Sequence, residues 1–227
     1  MKRALIPLAL LWCACAVAAQ AENGVAVAAG LRSPDPYTLV GPVHYLHDYP
    51  AVDQMGRVNV CVEIPAGSVD KWEVDKKDGS LRWELRERRP RKVSYLGYPG
   101  NYGMVPRTLL PLEEGGDGDP IDVLVLGDAV PRGSLVAARI VAVLKMKDGG
   151  ERDDKLIAVR EGTAFASVRD LQQLDGQFPG VTRIVETWFE NYKGSGVVET
   201  DGFGDAGEAV QILRRATQAY TEKAGGR

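Results

Sequence analysis

The chain has 227 residues, 44% of them hydrophobic, which is enough for one domain with a sizeable core. Its 28 Lys and Arg against 31 Asp and Glu give a formal net charge of −3, so it lacks the basic excess that attracts nucleic acid or an anionic membrane. We therefore exclude general nucleic-acid binding and expect one catalytic or binding unit.

The first 21 residues have the composition of a secretory signal peptide. Lys2 and Arg3 precede an apolar run from Ala4 to Ala18, and the small residues up to Ala21 fit a cleavage site. A membrane anchor is the alternative, but this run is shorter than the roughly 20 apolar residues that span a bilayer. We predict that the leader is cleaved, so that the protein has no stable membrane insertion and is periplasmic or secreted. A cytoplasmic location is the alternative.

Cysteine usage excludes an internal disulfide in the processed chain. Cys13 and Cys15 lie in the leader, where a lipid anchor on either is a minor alternative to simple cleavage. Cys61 is the one cysteine that remains, and it lies in an apolar strand pattern. We expect it to be a small buried side chain rather than a reactive thiol.

Short strand patterns dominate residues 22–227, which we treat as one domain. Residues 22–55 show no sustained periodicity and predict an extended arm. Apolar residues then alternate from Val58 to Ile64, as in a half-buried strand. A hairpin is predicted for residues 71–75 and 81–85, which flank the turn sequence KDGS. Further strands are predicted at 93–98, 121–127, 134–146 and 154–159, a spacing that suits a small antiparallel barrel.

Two helices are predicted near the C-terminus. In residues 181–193 the apolar side chains recur at the helical period: Val181, Ile184, Val185, Trp188, Phe189 and Tyr192. Residues 205–223 begin with a capping pair, Asp205 and Glu208. The predicted fold class is α+β and mainly β, with the two helices packed outside the barrel.

The segment GDGDPIDVLV, residues 116–125, places three carboxylates within six residues. Asp117 and Asp119 lie two apart in a predicted extended chain and should point the same way, and Pro120 lets Asp122 turn toward them. Carboxylates this close repel one another unless cations or shared protons offset the repulsion. Mg²⁺ and Ca²⁺ prefer oxygen ligands, so the cluster predicts a hard divalent cation. A solvated acidic loop is the alternative.

A second acidic group follows another predicted strand in the same way. Its members are Asp148, Glu151, Asp153 and Asp154. Basic and phenolic residues on or beside the strands and helix ends would supply donors to phosphate oxygens: Lys71, Arg86, Lys155, Lys193, Tyr98, Tyr102 and Tyr192. Each of these, taken singly, is ordinarily a solvated surface residue. Together with two acidic groups they indicate a multi-metal pocket for a compact polyanion.

Residues 117–122, DGDPID, match the signature D-G-D-P-[IV]-D. Through them the sequence resembles the soluble, Mg²⁺-dependent inorganic pyrophosphatases of family I. The resemblance extends over roughly residues 58–193, through the segments EIPAG, KWEVDK, YPGNYG, VLKMKD, DDK and FENYK. It implies a five-stranded, OB-like antiparallel barrel flanked by helices, and hydrolysis of pyrophosphate to two phosphates.

The same resemblance implies a role for each candidate site residue. Asp119 would be the general base, and Mg²⁺ would be the cofactor. The metal-binding residues would be Asp117, Asp122, Asp148 and Asp153, with Glu63 acting through metal-bound water. The phosphate-binding residues would be Lys71, Arg86, Tyr102, Tyr192 and Lys193. The expected partner is the small molecule pyrophosphate, and we also expect a homo-oligomer.

Two segments depart from the family pattern. Gly149 follows Asp148 where bacterial members often have a second acid, so a metal bound there would be held more weakly. The run LRWELRERRPRK is longer than the usual hairpin return of the family. The phosphate-binding arginine is therefore left open among Arg82, Arg86, Arg88 and Arg89. We choose Arg86 by its distance from the preceding turn.

A non-catalytic barrel that binds divalent metal or phosphate is the alternative function. It would share the fold and the acidic pocket with an enzyme. Asp119 favours the enzyme, because a module that only binds would have no use for a base beside its metal ligands.

Overall fold

The computed structural model describes residues 21–22 and 24–225. The predicted leader, residues 1–21, therefore lies outside the described residues except for Ala21. Among the described helices, none is both long enough and apolar enough to span a membrane.

Strands outnumber helices in the described part of the chain. In chain order the strands are β1 (Ala21–Glu22), β2 (Val25–Ala26), β3 (Arg32–Asp35), β4 (Thr38–Val40), β5 (Val58–Ile64), β6 (Trp72–Val74), β7 (Leu81–Trp83), β8 (Leu85–Arg86), β9 (Arg89–Pro90), β10 (Asn101–Met104), β11 (Asp122–Leu126), β12 (Leu135–Asp148), β13 (Glu151–Arg152), β14 (Lys155–Val159) and β15 (Val198–Asp205). The helices are α1 (Leu171–Gln177), α2 (Val181–Asn191), α3 (Ala206–Gly225) and a 3₁₀ turn at Leu112–Glu114.

Five of these strands close into a barrel. β5 pairs with β10, β10 with β11, β11 with β14 and β14 with β12, and β12 returns to pair with β5. The expected mainly-β fold with a small five-stranded barrel is confirmed. The β11–β14 pair is parallel, whereas the other four pairs are antiparallel. β12 is 14 residues long, so it also pairs with β13 and β15 outside the barrel.

β5 is more deeply buried than its alternating pattern predicts, because both of its faces are covered. All seven of its residues are buried. Val60 belongs to the apolar cluster that includes Leu213 of α3. Cys61 packs instead with Trp72 and Leu81 of a second sheet. The expectation of a small buried cysteine is confirmed.

The second sheet has the strand order β3-β4-β7-β6. Its β6–β7 hairpin is the one predicted at KDGS, and Trp72 pairs with Trp83 across it. β3 and β4 come from the predicted N-terminal arm, so the arm is partly strand: Leu39 pairs with Leu81 and is buried. Covering the outer face of β5 thus requires chain from both before and after it.

The strand predicted at residues 93–98 is wrong. The backbone N–H of Val93 donates to Val69, and that of Tyr98 donates to Ser68. Because the two ends of the segment bond to adjacent residues, the chain between them loops outward instead of running alongside a partner strand. Leu96 in this loop is 71% exposed.

Both predicted helices are present, and a short third helix, α1, precedes them. The carboxylate of Asp205 accepts a 2.8 Å hydrogen bond from the backbone N–H of Glu208, which caps α3 as predicted. The buried face of α2 carries Val185, Trp188 and Phe189. Ile184 was predicted on this face but is 61% exposed.

Candidate active site

The acidic loop before β11 is a turn rather than extended chain. Gly118 has φ +77°, a conformation that glycine adopts without steric cost. The turn lets a carboxylate oxygen of Asp117 accept a 2.9 Å hydrogen bond from the backbone N–H of Asp119. The carboxylate of Asp119 forms an ion pair with Lys76. The expectation of an extended chain from Asp117 to Asp119 is therefore wrong.

Asp122 and Asp153 are joined by a buried lysine. Asp122 and Lys155 are register partners in the parallel β11–β14 pair. The Lys155 ammonium lies 2.6 Å from a carboxylate oxygen of Asp122 and also pairs with Asp153. The Tyr102 hydroxyl donates to the same oxygen of Asp122. Two carboxylates thus meet at one cation where β11 and β14 begin.

Burial and mutual repulsion raise the pKa values of two of these carboxyl groups. Burial is the larger cause for Asp153, and the charge of Asp122 adds to it, so its pKa rises to about 6 despite the opposing effect of Lys155. Burial also raises the pKa of Asp117, and the charges of Asp119 and Asp122 raise it further. The site therefore holds more negative charge than its own lysine offsets.

Glu63 reaches the site from a β-bulge. Val62 and Ile64 of β5 pair with Gly103 and Tyr102 of β10, which leaves Glu63 as the extra residue. The strands approach so closely that a Cβ on Gly103 would lie 1.8 Å from the carbonyl oxygen of Cys61. The Glu63 carboxylate accepts a 2.7 Å hydrogen bond from the backbone N–H of Val74. Burial, and then the charge of Asp122, raises the pKa of Glu63 well above its ordinary value.

A buried arginine, Arg132, contacts both β5 and the hairpin sheet. The Arg132 guanidinium donates a 2.9 Å hydrogen bond to the carbonyl oxygen of Glu63. Its guanidinium carbon lies 4.6 Å from the ring centroid of Trp72, a cation–π distance. Arg132 thereby holds the backbone at Glu63 to the hairpin sheet.

Lys71 places a second cation beside the carboxylates. Its ammonium lies 2.9 Å from a carboxylate oxygen of Glu73 and 5.3 Å from the ring centroid of Tyr102. Burial disfavours its charged form, but Tyr98, Glu73 and the carboxylates of the site outweigh burial and raise its pKa. Lys71 is therefore a charged lysine in a mostly buried position.

The C-terminal end of α2 forms another side of the site. The Tyr192 ring stacks on Trp188 with 4.6 Å between centroids. Tyr98 lies 4.4 Å from the same indole and 5.0 Å from Tyr102, so the three tyrosines belong to one aromatic group. Lys193, next along the chain, forms an ion pair with Asp148 at the end of β12.

The members of the second acidic group, in residues 148–154, do not all face the site. Asp153 faces Lys155 and the site, whereas Asp154 is buried and pairs with Arg152 at 2.6 Å. Asp154 also accepts a 3.1 Å hydrogen bond from the backbone N–H of Met146, which gives it a structural role. Glu151 is exposed in β13.

Comparison with known proteins shows the family to which the chain belongs. The family model described as "Inorganic pyrophosphatase" matches residues 60–221. The chain belongs to the inorganic pyrophosphatase family.

Relatives and solved structures agree with this assignment. The chain is 38% identical over 170 residues to an inorganic pyrophosphatase of Xylella fastidiosa strain 9a5c, covering 73% of this chain and 90% of the relative. It is 34% identical to a Helicobacter pylori inorganic pyrophosphatase of known structure, with a TM-score of 0.65 over 77% of this chain and 99% of the other. A type I inorganic pyrophosphatase from Toxoplasma gondii gives 26% identity and a TM-score of 0.75, over 80% and 89% of the two chains.

Membership in the pyrophosphatase family implies a divalent metal cofactor. In the described part of the chain, no three or more His, Cys, Asp and Glu side chains are positioned together so that they could hold a metal ion. Ammonium groups occupy the carboxylates instead: Lys76 pairs with Asp119, and Lys155 pairs with both Asp122 and Asp153. The donors themselves fit a hard cation, because they are carboxylate oxygens with unbalanced negative charge.

The arginine-rich segment, residues 81–92, places Arg86 away from the site and Arg91 facing it. Arg86 lies in the exposed strand β8, outside the group of contacts around Asp122. Arg91 lies two residues beyond Arg89 of β9, and its guanidinium lies 2.6 Å from a carboxylate oxygen of Glu84. Although burial opposes its charge, Glu84 and the phenols of Tyr192 and Tyr98 raise the pKa of Arg91. Arg91, which the sequence pattern did not single out, therefore faces the aromatic side of the site.

Lys76 was also missed, and Lys155 was named only as a donor to phosphate oxygens, not as the partner of Asp122 and Asp153. Lys76 directly follows KWEVD, yet nothing in the local pattern shows that it reaches Asp119 across 43 residues. Lys155 begins a run of apolar strand residues in DKLIAV, and a lysine at the start of a fully buried strand is a signal that could have been used.

Proposed function

We propose that this protein is a Mg²⁺-dependent inorganic diphosphatase that hydrolyses pyrophosphate to two phosphates. One observation supports this above the others: Asp122, Asp153 and Lys155 meet where β11 and β14 begin, with Asp117 close enough for its charge to act on them. Family membership supplies the reaction. The reason for a divalent cation is that three carboxylates, of Asp117, Asp122 and Asp153, lie around one lysine, Lys155, which leaves an excess of negative charge.

We assign the metal ligands from the carboxylates that share this space. Asp117, Asp122 and Asp153 would hold Mg²⁺ at the centre, and Asp148 would hold a further ion at the side nearest α2. Glu63 is fixed by its hydrogen bond to Val74 and would accept from water in the same shell. Bound Mg²⁺ would neutralise phosphate oxygens and favour deprotonation of the attacking water.

Asp119 is the proposed general base. Its side chain is about half exposed, so it can meet a water that enters from solvent. The ion pair with Lys76 holds the carboxylate in place, where it can take a proton. A base positioned in this way contributes about 10²- to 10⁴-fold to the rate.

Lysine, arginine and tyrosine side chains would hold the two phosphate groups. Lys71 and Arg91 are neighbours, since the backbone N–H of Lys71 donates a 3.1 Å hydrogen bond to the carbonyl oxygen of Arg91, next to the antiparallel Asp70–Lys92 bridge. The remaining donors are Tyr102, Tyr192 and Lys193. They would stabilise charge that collects on the leaving phosphate, as cationic clamps do in phosphoryl transfer. We propose Arg91 rather than Arg86 as the arginine of the site.

The cellular setting is a separate proposal. The first 21 residues support export to the periplasm or outside the cell, and the family resemblance supports a homo-oligomer. Cell fractionation followed by N-terminal sequencing tests the first: a processed terminus near residue 22 in the exported fraction supports it. Intact protein in the cytoplasm would contradict it.

Release of phosphate from pyrophosphate tests the proposed reaction. Purified protein should release phosphate in millimolar Mg²⁺ and none in excess EDTA. Asp122→Asn should abolish release, whereas Asp201→Asn, on the exposed surface, should leave it unchanged. Saturable Mg²⁺ binding without phosphate release would instead support a non-catalytic barrel.

A further inference from the structure

The segment between β7 and Arg91 forms a small ribbon that the proposed reaction does not use. β8 and β9 pair antiparallel, with Leu85 opposite Pro90 and Arg86 opposite Arg89. Glu87 and Arg88 make the turn with φ values of 50° and 64°. Two successive positive φ values are typical of a type I′ hairpin turn, which usually requires Asn or Gly. The ribbon thus makes a tight turn with neither Asn nor Gly at its two central positions.

The ribbon carries its arginines on the face that leads into the site. Residues directly opposite in an antiparallel pair share a face, and so do residues two apart on one strand. Arg86 therefore shares a face with Arg89, and Arg89 shares it with Arg91. Glu84, two residues before Arg86, lies on the same face and pairs with Arg91. Successive members along a strand are about 6.5 Å apart. The carbonyl oxygen of Arg91 accepts a 3.1 Å hydrogen bond from the backbone N–H of Lys71, so this row of three guanidinium groups begins beside the site and runs outward.

The two outer arginines have no acidic partner among the described residues, unlike Arg82 and Arg91. Arg82 pairs with Asp75 and Asp78, and Arg91 pairs with Glu84. Within the described chain no carboxylate at ion-pair distance accompanies Arg86 or Arg89, and both are exposed. Like charges directly opposite in a sheet are destabilising, so the Arg86–Arg89 pair costs free energy that an anion lying across it would offset.

We propose that this ribbon, residues 84–90, continues the site outward from Arg91 and binds the outlying phosphates of linear inorganic polyphosphates with three or more phosphate groups. The proposal rests on the proposed function, since the terminal phosphate would occupy the carboxylate site. An inorganic chain fits better than a nucleotide, because the row repeats one cationic group and includes no aromatic side chain for a base. Guanidinium groups bind phosphate oxygens in a bidentate manner, so each arginine can hold one phosphate.

The reaction on tripolyphosphate is the same bond change with a longer leaving group. The oxygen of water forms a bond to the terminal phosphorus, and the bond from that phosphorus to the bridging oxygen breaks. The electron pair stays on the bridging oxygen, so pyrophosphate leaves, held by Arg91 and Arg89. The proton from water passes to Asp119 and then to solvent. Products are one phosphate and one pyrophosphate, which is itself a substrate.

Steady-state kinetics of the Mg²⁺-loaded protein on two substrates test the proposal. Arg89→Gln should raise KM for tripolyphosphate about tenfold with little change in kcat, because the ribbon binds ground state and transition state alike. Its kcat/KM for pyrophosphate should stay within about twofold of wild type. Arg88→Gln removes the same charge from the turn, off the proposed row, and is the matched control that should change neither substrate.

The outcomes separate this inference from the proposed function. Hydrolysis of pyrophosphate without hydrolysis of tripolyphosphate would overturn the ribbon proposal and leave the function in place. Equal effects of Arg89→Gln on both substrates, or equal effects of Arg88→Gln and Arg89→Gln, would also overturn it. Hydrolysis of ATP with the same dependence on Arg89 would contradict the choice of an inorganic chain. Failure to hydrolyse pyrophosphate at all would contradict the proposed function itself.

Discussion

Lys155 and Asp122 face each other across the one parallel strand pair of the barrel, with 2.6 Å between ammonium and carboxylate. The same ammonium pairs with Asp153, which lies two residues before Lys155 in the sequence. Parallel strands align their carboxyl-side and amino-side ends, so both acids arrive at one edge with a buried cation between them. The arrangement keeps the two carboxylates together while no divalent ion is bound.

Replacing Lys155 by Met should lower the free energy of unfolding of the metal-free protein by about 3 kcal/mol, because it leaves two buried carboxylates without their cation. Urea denaturation in EDTA measures this. Added Mg²⁺ should raise the stability of Lys155→Met more than that of wild type, since the ion takes over the missing charge. Lys147→Met, at an exposed position of β12, is the control. A variant as stable as wild type in EDTA would show that Lys155 does not balance the acids.

Asp119→Asn should keep the fold and reduce turnover at least ~100-fold, as expected for loss of a general base. Phosphate release at saturating pyrophosphate and Mg²⁺ measures turnover, and circular dichroism checks the fold. The substitution keeps the size of the side chain and a hydrogen-bond acceptor for Lys76. Turnover near that of wild type would remove Asp119 from the role of base.

Asp153→Asn should stabilise the metal-free protein at neutral pH while weakening Mg²⁺ binding. The pKa of Asp153 rises from the usual 3.8 to about 6 in the folded protein, so the folded state holds the proton more tightly than the unfolded state. This group therefore makes the protein less stable as the pH rises from about 4 to about 6, and the loss persists above pH 6. Removing the charge should regain about 1–3 kcal/mol at pH 7.5.

Urea denaturation in EDTA at pH 4.5 and pH 7.5 checks the sign of that effect. The gain from Asp153→Asn should be larger at pH 7.5 than at pH 4.5. A variant less stable than wild type at both pH values would mean that the ion pair with Lys155 outweighs the repulsion from Asp122.

Arg91→Gln should lower kcat/KM for pyrophosphate by about 10- to 100-fold, in line with the loss of one charge-assisted contact to phosphate of about 1.5–3 kcal/mol. Arg88→Gln, at the exposed turn, should have no effect on pyrophosphate. Initial rates over a range of substrate concentrations provide the comparison. Full activity of Arg91→Gln would return the assignment to another arginine of the segment, with Arg86 the first to test.

The sequence predicted those parts of the molecule that depend on local pattern. The period of two in β5 and the period of 3.6 in α2 and α3 identify the elements, and turn residues identify the β6–β7 hairpin. The DGDPID signature predicts the family, which the comparison confirms. Burial of both faces of β5 could not be predicted, because the covering strands β3 and β4 lie in a segment without clear periodicity.

The contacts that depend on distant chain were the ones missed. Lys76 and Asp119 meet across 43 residues, and Lys155 meets Asp122 across 33. The phosphate-binding arginine was assigned to Arg86 for another reason. Counting residues from the preceding turn assumes that the chain returns directly to the site after the β6–β7 hairpin. The inserted ribbon instead carries Arg86 outward before the chain comes back to the site at Arg91.

The position of a bound metal ion decides whether these carboxylates form a metal site. Crystals grown with Mn²⁺, an ion that scatters anomalously and accepts the same oxygen ligands as Mg²⁺, would reveal it. We expect an anomalous peak within about 2.0–2.4 Å of carboxylate oxygens of Asp117, Asp122 and Asp153. Density without such a peak, with Asp122 and Asp153 still bound only to Lys155 at saturating Mn²⁺, would contradict the proposed metal site.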